Sequence, residues 1–251
     1  MNYLSMLVGL IFSLTSAISL ASDGLNDLKN KLKQLQAKTP IIAELRASFV
    51  DQHDDDIKQG EVKVLLKDNS TGFSLTYKTE QLTMMATEKA QKAQNEDSPS
   101  PTLDAAAKLK AVDLHRVLSA SEDFLQFINR GEFIGESITQ LDGRNVRLLT
   151  FALPMEVLIH NKRTRKYVDD FEARYQVWLD NDGTPLKSHL DFQGSGSAYL
   201  ILNVEAYGQN TEFYQVINQR LVVSSSQSRH GSKSFFGDFE RNIQKQVTVI
   251  N

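Results

Sequence analysis

His53-Asp54-Asp55-Asp56 is the chain's best candidate for a metal site. Carboxylate oxygens suit Ca²⁺ or Mg²⁺, and a neighbouring imidazole would admit a transition metal. The spacing weighs against it. An Asp-x-Asp-x-Asp-Gly pattern with a distal Glu is missing, and neighbours on a strand point to opposite sides. The segment reads as a solvated turn ahead of Gly60, and no metal is expected. A second group is basic: His160-Asn161-Lys162-Arg163-Thr164-Arg165-Lys166. Lys162, Arg163, Arg165 and Lys166 suit lipid phosphates or an acidic partner. Asp169, Asp170 and Glu172 follow and nearly cancel the charge, so the plainer reading is a solubilising loop between strands. Ser195 and Ser197, in Gly194-Ser195-Gly196-Ser197, read as a flexible turn rather than as nucleophiles. The lone Trp178 shares a strand face with Arg174, Gln176 and Asp180. Packing beneath a helix is its expected role, with a binding anchor as the alternative.

Organised catalysis leaves no sequence trace. The chain has no GxSxG elbow, SxxK pair, HExxH, P-loop or GxGxxG. His53, His115, His160, His189 and His230 each stand alone in their segments. A triad assembled in space would escape such a scan. The expectation is therefore a protein without catalytic residues or cofactor, and a hydrolase with a scattered site is the third-ranked reading.

The elements that would position these groups are mostly strands. Leu25, Leu28, Leu32 and Leu35 form one apolar stripe on a helix, with Asp23 as its expected cap and Pro40 as its stop. Residues 42–50, 61–67 and 73–77 read as strands. Residues 86–102 are rich in Ala, Lys, Gln and Glu and end in Ser98-Pro99-Ser100-Pro101, which reads as a mobile insertion or a helix plus loop. Leu103, Ala107, Ala111, Leu114 and Leu118 follow at helical spacing. Ser119-Ala120-Ser121-Glu122 matches a capping box for a further helix through Ile128. Strand hairpins then run to the C-terminus. Asp142-Gly143 and Asn181-Asp182-Gly183 are turns, and strands are expected at 198–207, 213–223, 235–239 and 247–250. The pattern predicts an α+β fold: a large curled antiparallel sheet of about nine to eleven strands, unclosed, with two or three helices packed on one face.

Composition narrows the class. The net charge of −3 is too small a bias for a nucleic-acid grip. With no cysteine, the chain excludes disulfides, a lipoprotein-type acyl anchor and thiolate zinc sites. Residues 1–22 carry no charged side chain, hold the apolar run Leu7–Phe12 and offer Ser19 and Ala21 as small residues at a cleavage site. Residues 1–21 therefore read as a secretory signal peptide, leaving residues 22–251 as one exported domain, periplasmic rather than eukaryotic-secretory. No segment is long and apolar enough to span a bilayer, so an integral membrane protein is not expected.

One strand face remains. Tyr175, Val177, Leu179, Leu190, Phe192, Leu200, Leu202 and Val204 alternate inward and would form either core or the lining of an apolar pocket. Ala47-Ser48-Phe49-Val50-Asp51-Gln52 on an early strand follows an amphipathic helix. With Tyr175-Gln176-Val177-Trp178-Leu179-Asp180-Asn181-Asp182-Gly183-Thr184-Pro185-Leu186, the order of elements resembles the LolA/LolB-like superfamily of periplasmic lipoprotein-binding proteins. That resemblance implies an unclosed antiparallel barrel with helices plugging its mouth and an apolar hollow for acyl chains. The family's acyl-gating arginine is not assigned to any particular residue of this chain. The leading expectation is a non-enzymatic binding protein for a lipid or lipoprotein acyl chain. Its eight apolar residues would line the hollow, and Lys162, Arg163, Arg165 and Lys166 would meet a headgroup or partner. The rival from another class is a packed assembly factor that binds an envelope protein through a sheet edge or that basic loop.

Overall fold

A computed structural model describes residues 17–198 and 202–250. The chain opens with α1 (Ala17–Gln34) and a three-stranded meander, β1 (Ile41–His53), β2 (Asp56–Asn69) and β3 (Gly72–Tyr77). Four helices follow: α2 (Thr79–Gln94), α3 (Pro101–Ala107), α4 (Ala111–Leu118) and α5 (Ser121–Arg130). The rest is strand: β4 (Glu132–Leu141), β5 (Arg144–Ala152), β6 (Val168–Leu179), β7 (Pro185–Ala198), β8 (Leu202–Ile217), β9 (Arg220–Ser234) and β10 (Gly237–Val249). Two single helical turns, α6 (Met155–Leu158) and α7 (Lys162–Arg165), interrupt it between β5 and β6. Residues 1–16 of the expected signal peptide and Leu200 lie outside the described residues, and so does the side chain of Leu202.

All ten strands join one antiparallel sheet in the order β3-β2-β1-β10-β9-β8-β7-β6-β5-β4. β3 and β4 are its free edges, so the sheet does not close into a barrel. The expected α+β class with an unclosed antiparallel sheet is what the chain forms. Among the described residues no helix is long and apolar enough to cross a membrane.

One face of the sheet carries the helices. Along β1, Ile41, Ala43, Leu45, Ala47 and Phe49 alternate onto this inner face, and Val62, Val64 and Leu66 do so along β2. Leu114 and Leu118 of α4 and Ala105 of α3 cover them. A second apolar cluster places Leu28, Leu32 and Leu35 of α1 and Phe124 and Ile128 of α5 over Leu149 and Phe151 of β5 and Tyr175, Val177 and Leu179 of β6. The leucine stripe of α1 therefore does what its spacing predicts. Polar anchors fix these helices. Arg147 on β5 donates to Asp27 of α1 (2.7 Å) and to Glu136 of β4 (2.6 Å). Arg220, 1% exposed, donates to the carbonyls of Leu118 (3.1 Å) and Thr39 (2.7 Å) and pairs with Asp68.

Several local expectations need correction. α1 already runs from Ala17, so Asp23 lies within it and caps nothing. Ser119 closes α4 instead of capping α5, and Ser121 donates its hydroxyl to the Leu35 carbonyl (2.8 Å). Residues 86–102 hold the end of α2, a loop and the start of α3. The buried Glu88 carboxylate accepts the backbone N–H groups of Thr102 (3.0 Å) and Leu103 (2.8 Å), which fills the open N-terminus of α3. The break expected at residues 208–212 is the middle of β8. The true turn is Asn218-Gln219, both at positive φ (51° and 62°). Gly208, in that gap, sits within the strand, and the Phe192 ring crosses it: a Cβ there would lie 2.4 Å from that ring.

Candidate functional site

The inner face has two unlike ends. Towards the β6–β7 and β8–β9 turns it is closed by α1, α4 and α5, and Val177, Leu179 and Leu149 have no exposure at all. On the β1–β2 side the α2–α3 loop and α3 still cover the sheet, with the Pro101 carbonyl over Gly60, but above β6, β7 and β8 no long helix lies towards the β9–β10 turn. There a hollow of about 290 Å³ opens over β6, β7 and β8. Phe171, Phe192, Gly194, Gly196, Val204 and Ala206 form its floor, and Ile159, Thr164, Tyr167 and Val168 form its wall. The lining is almost wholly apolar. Its size falls at the small end of ligand pockets, about 300 Å³ and upward.

Two glycines make this hollow. A Cβ on Gly196 would stand 2.0 Å from the Tyr167 carbonyl oxygen, and one on Gly194 would stand 3.0 Å from that of Asp170. Only glycine lets the segment before β6 lie this close across β7. The Ser197 N–H donates to the same Tyr167 carbonyl (3.0 Å), and its hydroxyl donates to Asp169 (2.8 Å). Gly194-Ser195-Gly196-Ser197 is therefore strand β7, not the flexible turn its composition suggests. Its serines flank the hollow and form no nucleophile–base pair with a histidine among the described residues.

The basic run sits on the same wall. Asn161 caps α7 by accepting from the N–H groups of Arg163 (2.8 Å) and Thr164 (3.3 Å). Arg165 turns back onto the carbonyls of Ile159 (2.8 Å) and His160 (3.3 Å). Lys162, Arg163 and Lys166 are exposed and make no ion pair among the described residues.

Two polar groups border the hollow. On the side of the packed core, Glu212 pairs with Arg116 of α4 and accepts from the Tyr214 hydroxyl (2.8 Å), which meets Ser188 Oγ at 2.7 Å. Burial, with the Glu212 charge, pushes both the Tyr214 and the Tyr175 hydroxyls above their ordinary range, so both stay protonated. Towards β10, the cross-strand row Phe192, Gly208, His230, Arg241 and Asp51 changes from apolar to charged. Arg241 grips Asp51 with two bonds of 2.7 Å, and Lys108 adds a third contact at 2.9 Å. Burial opposes ionisation of Asp51, but these donors outweigh it and hold its carboxyl below the ordinary value. Burial also pushes the His230 imidazole down, with Arg241 adding to the effect.

The expected site residues therefore divide. Phe192 and Val204 come together in the hollow, beside the helix that carries Lys162, Arg163 and Arg165. Leu190 is half-buried at the edge of the core, and Tyr175, Val177 and Leu179 lie inside it, beneath the helices. Trp178 faces the opposite side of the sheet, with the Lys187 ammonium 4.6 Å from its ring centre, so packing beneath a helix is not its role. His53 ends β1 and Asp56 begins β2; between them Asp54 turns at positive φ (49°) and accepts the Asp238 N–H (2.9 Å). No group of three metal-ligating side chains gathers among the described residues. Sequence reading missed Phe171 and Ala206, although each continues the alternation of an inward face (Phe171 before Ala173, Ala206 after Val204). It also missed Ile159 and Tyr167, which a short irregular segment supplies without any periodic signal.

Compared with known proteins, the chain gives no significant match to a family model, a curated sequence or a solved structure.

Proposed function

We propose that this protein is a non-enzymatic binding protein of the bacterial periplasm that holds an apolar chain, from a lipid or a lipoprotein, at the open end of its sheet. One observation carries the reading: an apolar hollow of about 290 Å³ lies against a short helix, and Lys162, Arg163 and Lys166 on and beside that helix have no acidic partner among the described residues. An acyl chain gains about 0.8 kcal/mol per buried CH₂ in such a space, and an anionic headgroup at the rim would meet Lys162, Arg163 and Lys166. The resemblance to LolA/LolB-like carriers belongs to this proposal and adds traffic of envelope lipids as its setting. Mass spectrometry of lipids extracted from protein purified from its native envelope, paired with titration of a fluorescent fatty acid, tests it. Co-purified lipid and saturable binding that is weakened by Phe192→Asp are expected. No lipid and no saturable binding would contradict it.

A second reading, an assembly factor that binds an envelope protein at a sheet edge, draws on the free edge β4, where Ile134 (61% exposed) and Ile138 (67%) stand out. It predicts that replacing both with threonine abolishes a crosslinked partner in cells while fatty-acid binding stays unchanged.

A further inference from the structure

The β9–β10 hairpin ends in Phe235-Phe236, and both side chains stand almost wholly in solvent, 87% and 77% exposed. No other large apolar side chain among the described residues is as exposed as either. The turn that presents them is built rather than loose. The Ser234 hydroxyl accepts the Phe236 N–H and donates to the Gly237 carbonyl (both 3.2 Å), and Gly237 takes φ 123°. The neighbouring β1–β2 turn braces it, because Asp54 donates its N–H to the Asp238 carbonyl (3.0 Å) and accepts the Asp238 N–H.

The register places this tip beside the hollow. Ser234, the residue before Phe235, pairs with Val204, which lines the hollow floor. Gly196 pairs with Val204 on the other side and meets the segment that leads from α7. One end of the sheet thus carries, in order, the cations Lys162, Arg163 and Lys166, which make no ion pair among the described residues, the hollow, and the aromatic tip. Carboxylates share this end: Asp169 and Asp170 open β6, where Asp169 accepts from the Ser197 hydroxyl, and Glu205 and Asp238 flank Lys233 across the strands, on the face opposite Val204.

A projecting pair of phenylalanines beside cations is not a groove for a folded partner. It is the complement of a surface that is fluid, apolar below and anionic above. From this geometry we infer that this end of the protein docks on a phospholipid bilayer carrying anionic headgroups: Phe235 and Phe236 enter the acyl layer, and Lys162, Arg163 and Lys166, on the side of the hollow, meet the headgroups. The inference deepens the proposed function by naming where an apolar chain would enter or leave the hollow. Its test does not require the hollow to be filled.

Co-sedimentation of the full chain with vesicles provides that test. One set is phosphatidylcholine alone and the other phosphatidylcholine with phosphatidylglycerol. The expected result is binding to the anionic vesicles that weakens with salt, and a loss on the order of 100-fold in F235S/F236S, from two rings no longer buried. Neutralising Lys162, Arg163 and Lys166 should erase the preference for anionic vesicles while leaving the binding to phosphatidylcholine vesicles that the rings supply. Circular dichroism and unchanged fatty-acid binding show that the tip variant is folded. Equal binding of wild type and F235S/F236S, or no preference for anionic vesicles, would overturn the inference. So would a wild-type dimer in sedimentation that the tip variant abolishes, because the rings would then be a contact between two copies.

Discussion

Along β6, Val177 and Leu179 are sealed beneath α1 and α5, whereas Phe171, on the same face of the same strand, lines an open hollow. The same contrast holds along β7 and β8. Ser188 and Glu212 are locked into a buried hydrogen-bond group, while Gly194 and Ala206 face open space. Strand alternation decides which face a residue takes. Whether that position becomes core or cavity depends on what lies above it, and over β6, β7 and β8 the helices reach only one end. The covered end holds the packed core, and the open end leaves apolar surface uncovered.

This contrast can be broken or sharpened by substitution, and the largest effect should come from the covered end. Arg220→Met removes a buried cation from two carbonyls and Asp68, and should cost about 3–5 kcal/mol in urea unfolding. A loss under about 1 kcal/mol would mean that the sheet and helices are not held together there. Leu149→Ala, at a site with no exposure, should cost about 2–5 kcal/mol. The matching truncation at the open end, Phe171→Ala, should cost only about 1 kcal/mol while weakening fatty-acid binding. Equal costs for the two would erase the distinction between core and hollow.

Gly196→Ala forces a Cβ towards the Tyr167 carbonyl and should cost about 1–3 kcal/mol. It should also displace the wall of the hollow, read as lost ligand binding and faster hydrogen exchange across residues 159–168. Acid should act at the border. The folded Asp51 carboxyl titrates below its ordinary value of 3.8, so its contribution is fully present above that pH and disappears as the pH falls through the folded value. Asp51→Asn should flatten the acid side of the stability curve there, and an unchanged curve would show that the Arg241–Lys108 grip adds nothing. The smallest stability effect belongs to Val204→Asn, within about 0.5 kcal/mol, yet it should weaken ligand binding several-fold.

Much of this fold was legible in the sequence. The leucine stripe of α1, the Asp142-Gly143 turn (φ 50° and 75°) and the alternation along β1 and β6 each follow from a local rule. Their sum gave the unclosed antiparallel sheet. Features set by distant contacts were not legible. Gly194 and Gly196 look like turn residues until Tyr167 and Asp170 are seen lying across them. The serine-rich residues 224–234 show no apolar alternation, yet they form a central strand because β8 and β10 flank them on both sides. Half of the candidate site could be read, since Phe192, Val204 and the basic run are visible as patterns. Tyr175, Val177 and Leu179 show the same pattern, and nothing local distinguishes a residue beneath α1 from one beyond it.

The most direct test of the account is photo-crosslinking with a diazirine-bearing fatty acid, mapped by peptide mass spectrometry. Labels should concentrate on the segments around Ile159–Phe171, Phe192–Ser197 and Val204–Ala206, and an unlabelled fatty acid should compete them away. Labelling spread evenly over the surface, or confined to the exposed isoleucines of β4, would contradict the claim that the open end of the sheet is the binding site.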